Sequence, residues 1–227
     1  MDLDYLDYPV AQCQFQLQSH GSSISAVGRA VGVTHPHVLR LVVQRHLFAR
    51  CMHWLISRLP PSPRVRAALP PAWWLPSNIV VKQLKPDWDD EFANELAMYA
   101  KLKPLQGSVI PVCYGEARCQ DGSRAIVLSD VGGFSFWADE VVAMQEERLT
   151  QMTKEAFSAL ISYGVLYDDL KLDNVHVVGS KVVILDLESA RPRKQGTSEF
   201  EALDIMELWK DLRQDREDNK NWKGWAH

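Results

Sequence analysis

The chain has no apolar run long enough to cross a bilayer, and its first residues, Met1-Asp2-Leu3-Asp4, are acidic where a secretory leader is basic. A soluble, cytoplasmic protein without a transmembrane segment is therefore expected. Paired cysteines are also lacking. Cys13, Cys51, Cys113 and Cys119 show no C-x-x-C spacing, which argues against a zinc site or a disulfide framework and for reduced thiols. Acidic residues are missing between Asp7 and Asp87: up to Pro86, nine basic residues stand against three acidic ones, although the whole chain carries a formal net charge of -4. Such a stretch suits an anionic partner or a membrane surface, or else a lobe of divergent sequence, and the second is the reading taken from the sequence. No nucleic-acid partner is expected, and the oligomeric state is not encoded in any pattern.

What is present suits one globular unit or two small lobes: 227 residues, 46% hydrophobic and 24% charged. From His37 to Leu59, apolar residues recur near helical spacing with arginines between them, which predicts an amphipathic helix. Pro60-Pro61-Ser62-Pro63 would end it, and Pro70, Pro71 and Pro76 would keep the following stretch irregular. Next come a strand over Asn78–Lys82, a helix over Trp88–Leu102 and strands over Val109–Tyr114 and Ala125–Leu128, with Gln120-Asp121-Gly122-Ser123 as a turn. A helix is predicted over about Thr150–Tyr163. Val175–Val178 and Lys181–Leu185 then flank Gly179-Ser180 as a tight hairpin. Ser198-Glu199-Phe200-Glu201 has capping-box spacing ahead of a last helix, and the tail after Arg213 is polar enough to fray.

The polar loop Asp169-Leu170-Lys171-Leu172-Asp173-Asn174 and the later Asp186-Leu187-Glu188 stand on either side of that hairpin. The first reproduces the D-L-x-x-x-N spacing of a kinase catalytic loop, and the second stands where a D-F-G would. With Val80-Val81-Lys82 upstream, the chain resembles the protein-kinase-like superfamily, which includes the aminoglycoside and choline kinases. The resemblance covers about Ile79–Arg191. It implies an α+β, two-lobed fold with a reduced N-terminal sheet and a truncated helical C-terminal lobe. The chain would then divide at 1–72, 73–213 and 214–227 into a basic N-terminal region, a kinase-like domain and a polar tail. It also implies an ATP- and Mg-dependent phosphotransferase acting on a protein or small-molecule hydroxyl.

In that resemblance Asp169 is the catalytic base and Lys171 steadies the transferred group, while Asn174 and Asp186 are metal ligands. Lys82 holds phosphates and pairs with Glu95, with Glu91 as the fallback, and the backbone of Ser129, Asp130 and Val131 receives the adenine. Asp168 competes with Asp169 for the register, which favours Asp169 because Leu170 and Asn174 then fall in phase. Three departures bear on activity. No G-x-G-x-x-G precedes Lys82, the nearest glycines being in the distant run from His20 to Gly28. Tyr167 replaces the usual histidine, and Asp186-Leu187-Glu188-Ser189-Ala190 is closer to the D-x-E-x-A of the small-molecule kinases. A catalytically inactive module that binds nucleotide or a partner is thus the alternative. A third reading, anion or membrane binding through Arg40, Arg45, Arg50 and Arg58, needs these on one exposed face, whereas the apolar residues among them suggest that the helix packs away.

Overall fold

In Ala11–Leu17, glutamines alternate with Cys13, Phe15 and Leu17, and those three apolar side chains are buried. The same period of two gives Val38–Val43 an inward face of Leu39, Leu41 and Val43, and gives Asn78–Gln83 an inward face of Ile79 and Val81. A computed structural model, describing residues 9–32, 35–58, 68–193 and 201–224, shows what these faces enclose. Six antiparallel strands, β1 (Ala11–Leu17), β2 (Ser23–Ala30), β3 (Val38–Val43), β4 (Asn78–Gln83), β5 (Cys113–Cys119) and β6 (Arg124–Ser129), close into a barrel in the order β1-β2-β3-β4-β6-β5. Closure is made by β1 against β5, with Phe15 opposite Cys119 and Leu17 opposite Ala117. Phe15, Leu17, Ile24, Leu41, Val81 and Val127 are among the residues that fill the interior. A closed barrel leaves no unpaired strand edge to attract another chain.

This barrel overturns the expected two-lobed kinase-like fold with a reduced N-terminal sheet and a truncated helical lobe. The acid-poor stretch up to Pro86 supplies four of the six strands. The helix expected over His37–Leu59 is strand β3 followed by a shorter helix, α1 (Leu47–Ile56), because Val38-Leu39-Arg40-Leu41-Val42-Val43 is a β-branched run alternating in and out. The glycine run from His20 to Gly28 is the β1–β2 turn and β2 itself. Gly28 lies where a Cβ would come 1.9 Å from the Arg40 carbonyl, so its smallness serves strand pairing rather than phosphate binding. Pro71–Trp74 forms one turn of helix, α2. The prolines at 60, 61 and 63, the acidic start and residues 198–200 of the capping box lie outside the described residues.

The barrel belongs to one compact unit, Met1–Phe92 with Val112–Asp130, and a second unit comprises Ala93–Pro111 with Val131–His227. Helix α3 (Asp89–Lys101) begins in the first and continues in the second. The second unit then holds β7 (Phe134–Ser135), α4 (Asp139–Val142), α5 (Glu146–Ser162), β8 (Val165–Tyr167), β9 (Val175–Val178), β10 (Lys181–Ile184), β11 (Ala190–Pro192) and α6 (Glu201–Gly224). Strands β10, β9 and β7 form one small sheet, and β11 and β8 another. Helix α5 buries Leu149, Met152, Ala156, Phe157 and Leu160 along one stripe, and the last helix runs through Gly224 instead of fraying after Arg213. Gly179 turns the β9–β10 hairpin at φ 64°, where a side chain would be strained. Among the described residues no helix is long and apolar enough to cross a membrane.

Candidate functional site

Strand β8 ends at Tyr167, and the chain then makes a polar loop anchored by a 3-10 turn, Leu172–Asn174, whose Leu172 and Asn174 are buried. Burying Leu172 pulls the loop down and leaves its charges pointing at one another. Asn174 Nδ2 donates to Asp169 Oδ2 at 2.9 Å, and the Lys171 ammonium lies 2.8 Å from Asp169 Oδ1. Asp169 and Asn174 are thus joined by their side chains, whereas Asp168 turns to the surface and pairs with Arg191. An amide that donates through nitrogen keeps its oxygen as an acceptor, the atom a hard cation would take. Pairing with Asp169 raises the Lys171 pKa, and Asp186 and Glu188 add to the rise.

The far side of the hairpin comes back to the same place. Leu185 N–H donates to Asn174 O at 2.7 Å, and Asp186 follows with φ 50°, a left-handed conformation that costs a non-glycine residue about 1 kcal/mol. Its Oδ1 accepts from Glu188 N at 3.3 Å, which tightens the turn. The amide of Asn94 on α3 donates to the carbonyls of Glu188 at 2.9 Å and Ala190 at 2.7 Å. Those bonds fix the helix to this loop and carry Glu95, the next residue, with them. Ligand oxygens of Glu95, Asp186 and Glu188 all lie within 4.8 Å of one another. Glu95 is 1% exposed, while Glu91 one turn earlier is half-buried.

Tyr167 links the two sets. Its hydroxyl donates to Leu185 O at 3.1 Å, and its pKa is pushed well up, first by burial and then by Asp186 and Asp169, with a smaller contribution from Glu95. Tyr167, which replaces the histidine usual in the kinase resemblance, packs edge-on against Phe157 at 6.0 Å.

Asp169, Lys171, Asn174, Glu95 and Asp186 therefore gather in the second unit. Glu188 joins them, although its sequence signal was read only as a likeness to D-x-E-x-A. Lys82, Ser129 and Asp130 belong to the barrel unit. Lys82 sits on the outer face of β4, opposite Val38 and Ile126, and is 6% exposed. Ser129 is engaged with Val112 through both its N–H and its hydroxyl, each at 2.9 Å, and Asp130 pairs with Arg40 at 3.1 Å. Val131 is the first residue after the crossing into the second unit. No protein-family model matches the chain, and no curated protein is significantly similar to it.

Proposed function

We propose that the protein is an ATP- and magnesium-dependent phosphotransferase that moves the γ-phosphate of ATP to a hydroxyl of a protein or small molecule. The observation that carries this reading is Asp169, held by Asn174 and Lys171, in the same unit as the Glu95–Asp186–Glu188 carboxylates. Carboxylate oxygens of all three lie within 4.8 Å of one another, and an all-oxygen donor set suits magnesium. Glu95, Asp186, Glu188 and the Asn174 amide oxygen would hold it. Magnesium bound with ATP neutralises charge on the phosphate oxygens.

Asp169 does the chemistry of the acceptor. As the acceptor oxygen bonds to the γ-phosphorus and the bond to the departing ADP oxygen breaks, the hydroxyl proton passes to the Asp169 carboxylate. Asn174 keeps that carboxylate aimed, and Lys171 offsets charge on the group in transit. In the kinase resemblance Lys82 holds phosphates and the Ser129-Asp130-Val131 backbone receives the adenine. The Ser129 N–H donates to Val112 O. The D-x-E-x-A likeness favours a small-molecule acceptor. Such an enzyme works in the cytoplasm, where ATP is.

Calorimetry of ATP binding with and without magnesium, on the wild type and on Asp186→Ala, tests the proposal. Magnesium-dependent binding that the substitution abolishes supports it. Absence of binding in the wild type would reject it and leave a module whose role is to bind a partner.

A further inference from the structure

Helix α1 has a second apolar face for which the phosphotransfer chemistry has no use. At 100° per residue, Leu47–Ile56 turns Ala49, Met52, His53 and Ile56 to one side and Leu47, Phe48, Cys51, Trp54 and Leu55 to the other. The first side packs: Ala49 is buried, and His53 Nδ1 meets Trp73 O at 3.1 Å. Just ahead of the helix, Arg45 is tied to the carbonyls of Ala72 at 2.7 Å and Pro76 at 3.2 Å, so it is spent on holding α1 to the segment around α2. The second side is largely exposed, with Leu47 77% exposed, Trp54 57% and Leu55 48%, and Phe48 57% although its ring meets Trp73 edge-on at 5.7 Å. The sequence argument that the apolar residues of this stretch pack away fails here, because the packed face needs only the other set.

Large apolar side chains on an exposed helix face mark a contact surface. Its chemistry follows from the charges around it. Exposed Arg50 and Arg58 flank the face, and the Arg58 guanidinium lies 4.7 Å above the Trp54 ring. No acidic residue occurs anywhere between Asp7 and Asp87. A tryptophan, a phenylalanine and leucines bordered by arginines, with no carboxylate in that stretch of chain, match a boundary that is anionic on the outside and hydrocarbon beneath.

We propose that α1 is a peripheral membrane contact, seating Leu47, Phe48, Trp54 and Leu55 among the headgroups and upper acyl chains of an anionic bilayer, with Arg50 and Arg58 on the lipid phosphates. The inference is independent of the phosphotransferase reading, since none of these residues belongs to the carboxylate cluster. Co-sedimentation of the full chain with vesicles tests it, using phosphatidylcholine alone and phosphatidylcholine mixed with phosphatidylserine in equal parts, at low and high salt. The chain should sediment with the mixed vesicles and be released by salt, and remain in solution with phosphatidylcholine alone. Phe48→Asp with Trp54→Asp should weaken binding by more than about tenfold, and Arg50→Glu with Arg58→Glu by about tenfold. Trp54→Phe should keep most of it. These side chains are exposed, so circular dichroism should show every variant folded. Equal binding to both vesicle types, equal binding by the charged variants, or self-association abolished by the same substitutions without vesicle binding would each overturn the proposal, the last by making this face a protein contact.

Discussion

The barrel's interior and the second unit differ in the polar side chains they bury. Inside the barrel the packed cluster is entirely apolar, from Cys13 on β1 to Val127 on β6. In the second unit, Glu95 and Asn174 are buried polar side chains held by hydrogen-bonded turns. The barrel depends on partners distant in sequence, as where Phe15 meets Cys119. The charged loop depends on neighbours, as where Asp169 meets Lys171 and Asn174. The lesson is that the loop contacts of Asp169 are encoded locally and the architecture is not.

The largest expected effect separates the two. Asp169→Asn keeps the shape and the Asn174 contact but removes the carboxylate that the proposed function makes the proton acceptor. Under the proposed function, turnover should fall about a hundred- to ten-thousandfold while magnesium-dependent ATP binding persists. Steady-state kinetics beside calorimetry would check it, and an unchanged rate would remove Asp169 from the mechanism. The mirror-image change is Gly28→Ala in the barrel. A Cβ there would sit 1.9 Å from the Arg40 carbonyl, so β2 and β3 must separate, at about 3 kcal/mol. Urea unfolding followed by circular dichroism measures it, and a wild-type midpoint would contradict the pairing of β2 with β3.

How much of this was legible follows the same division. The strand at Asn78, the helix ending at Lys101 and the hairpin turned by Gly179 were readable because each is specified within a few residues. The contact of Asp169 with Asn174 is likewise made within one loop. The barrel was not readable. The alternation of glutamine with Cys13, Phe15 and Leu17 was a strand signal that went unread, and Val38–Val43 satisfied a helical spacing as well as an alternating one. Strand signals alone would still not have shown that β1 closes on β5, because nothing local says which strand lies opposite. The same closure brings together Cys13 and Cys119, thiols with no sequence relation: the hydrogen bond between them pushes Cys119 down to about 6 and Cys13 up. Glu188 was not among the site residues expected from the sequence, because its place beside Glu95 depends on Asn94, on another element.

A smaller effect tests the floor of the site. Tyr167→Phe removes the bond to Leu185 O, which should cost about 1 kcal/mol. It should also change the alkaline limb. Burial and the nearby carboxylates raise the Tyr167 pKa, so the folded protein keeps a proton that the unfolded chain loses above the ordinary tyrosine range. Wild-type stability should therefore fall as pH rises through that range, and the variant's should fall less. Parallel curves for the two proteins would mean that the phenol is not held neutral by its surroundings.

The smallest effect belongs to the barrel's surface, at the turn between β5 and β6. Asp121 Oδ1 accepts from Ser123 N–H at 2.9 Å and from the Ser123 hydroxyl at 2.6 Å, and these bonds lower its pKa. The carboxylate is nearly fully exposed, so water screens most of the benefit, and Asp121→Ala should lower the melting temperature at neutral pH by only about 1 °C. The sign of its pH dependence is fixed: a depressed carboxyl stabilises the fold above the ordinary aspartate pKa and loses that contribution as pH falls through the folded value. The wild-type advantage should be present near neutrality and vanish in acid, which paired thermal melts across pH would show. An advantage that survives full protonation would mean that Asp121 acts through the shape of the turn and not through its charge.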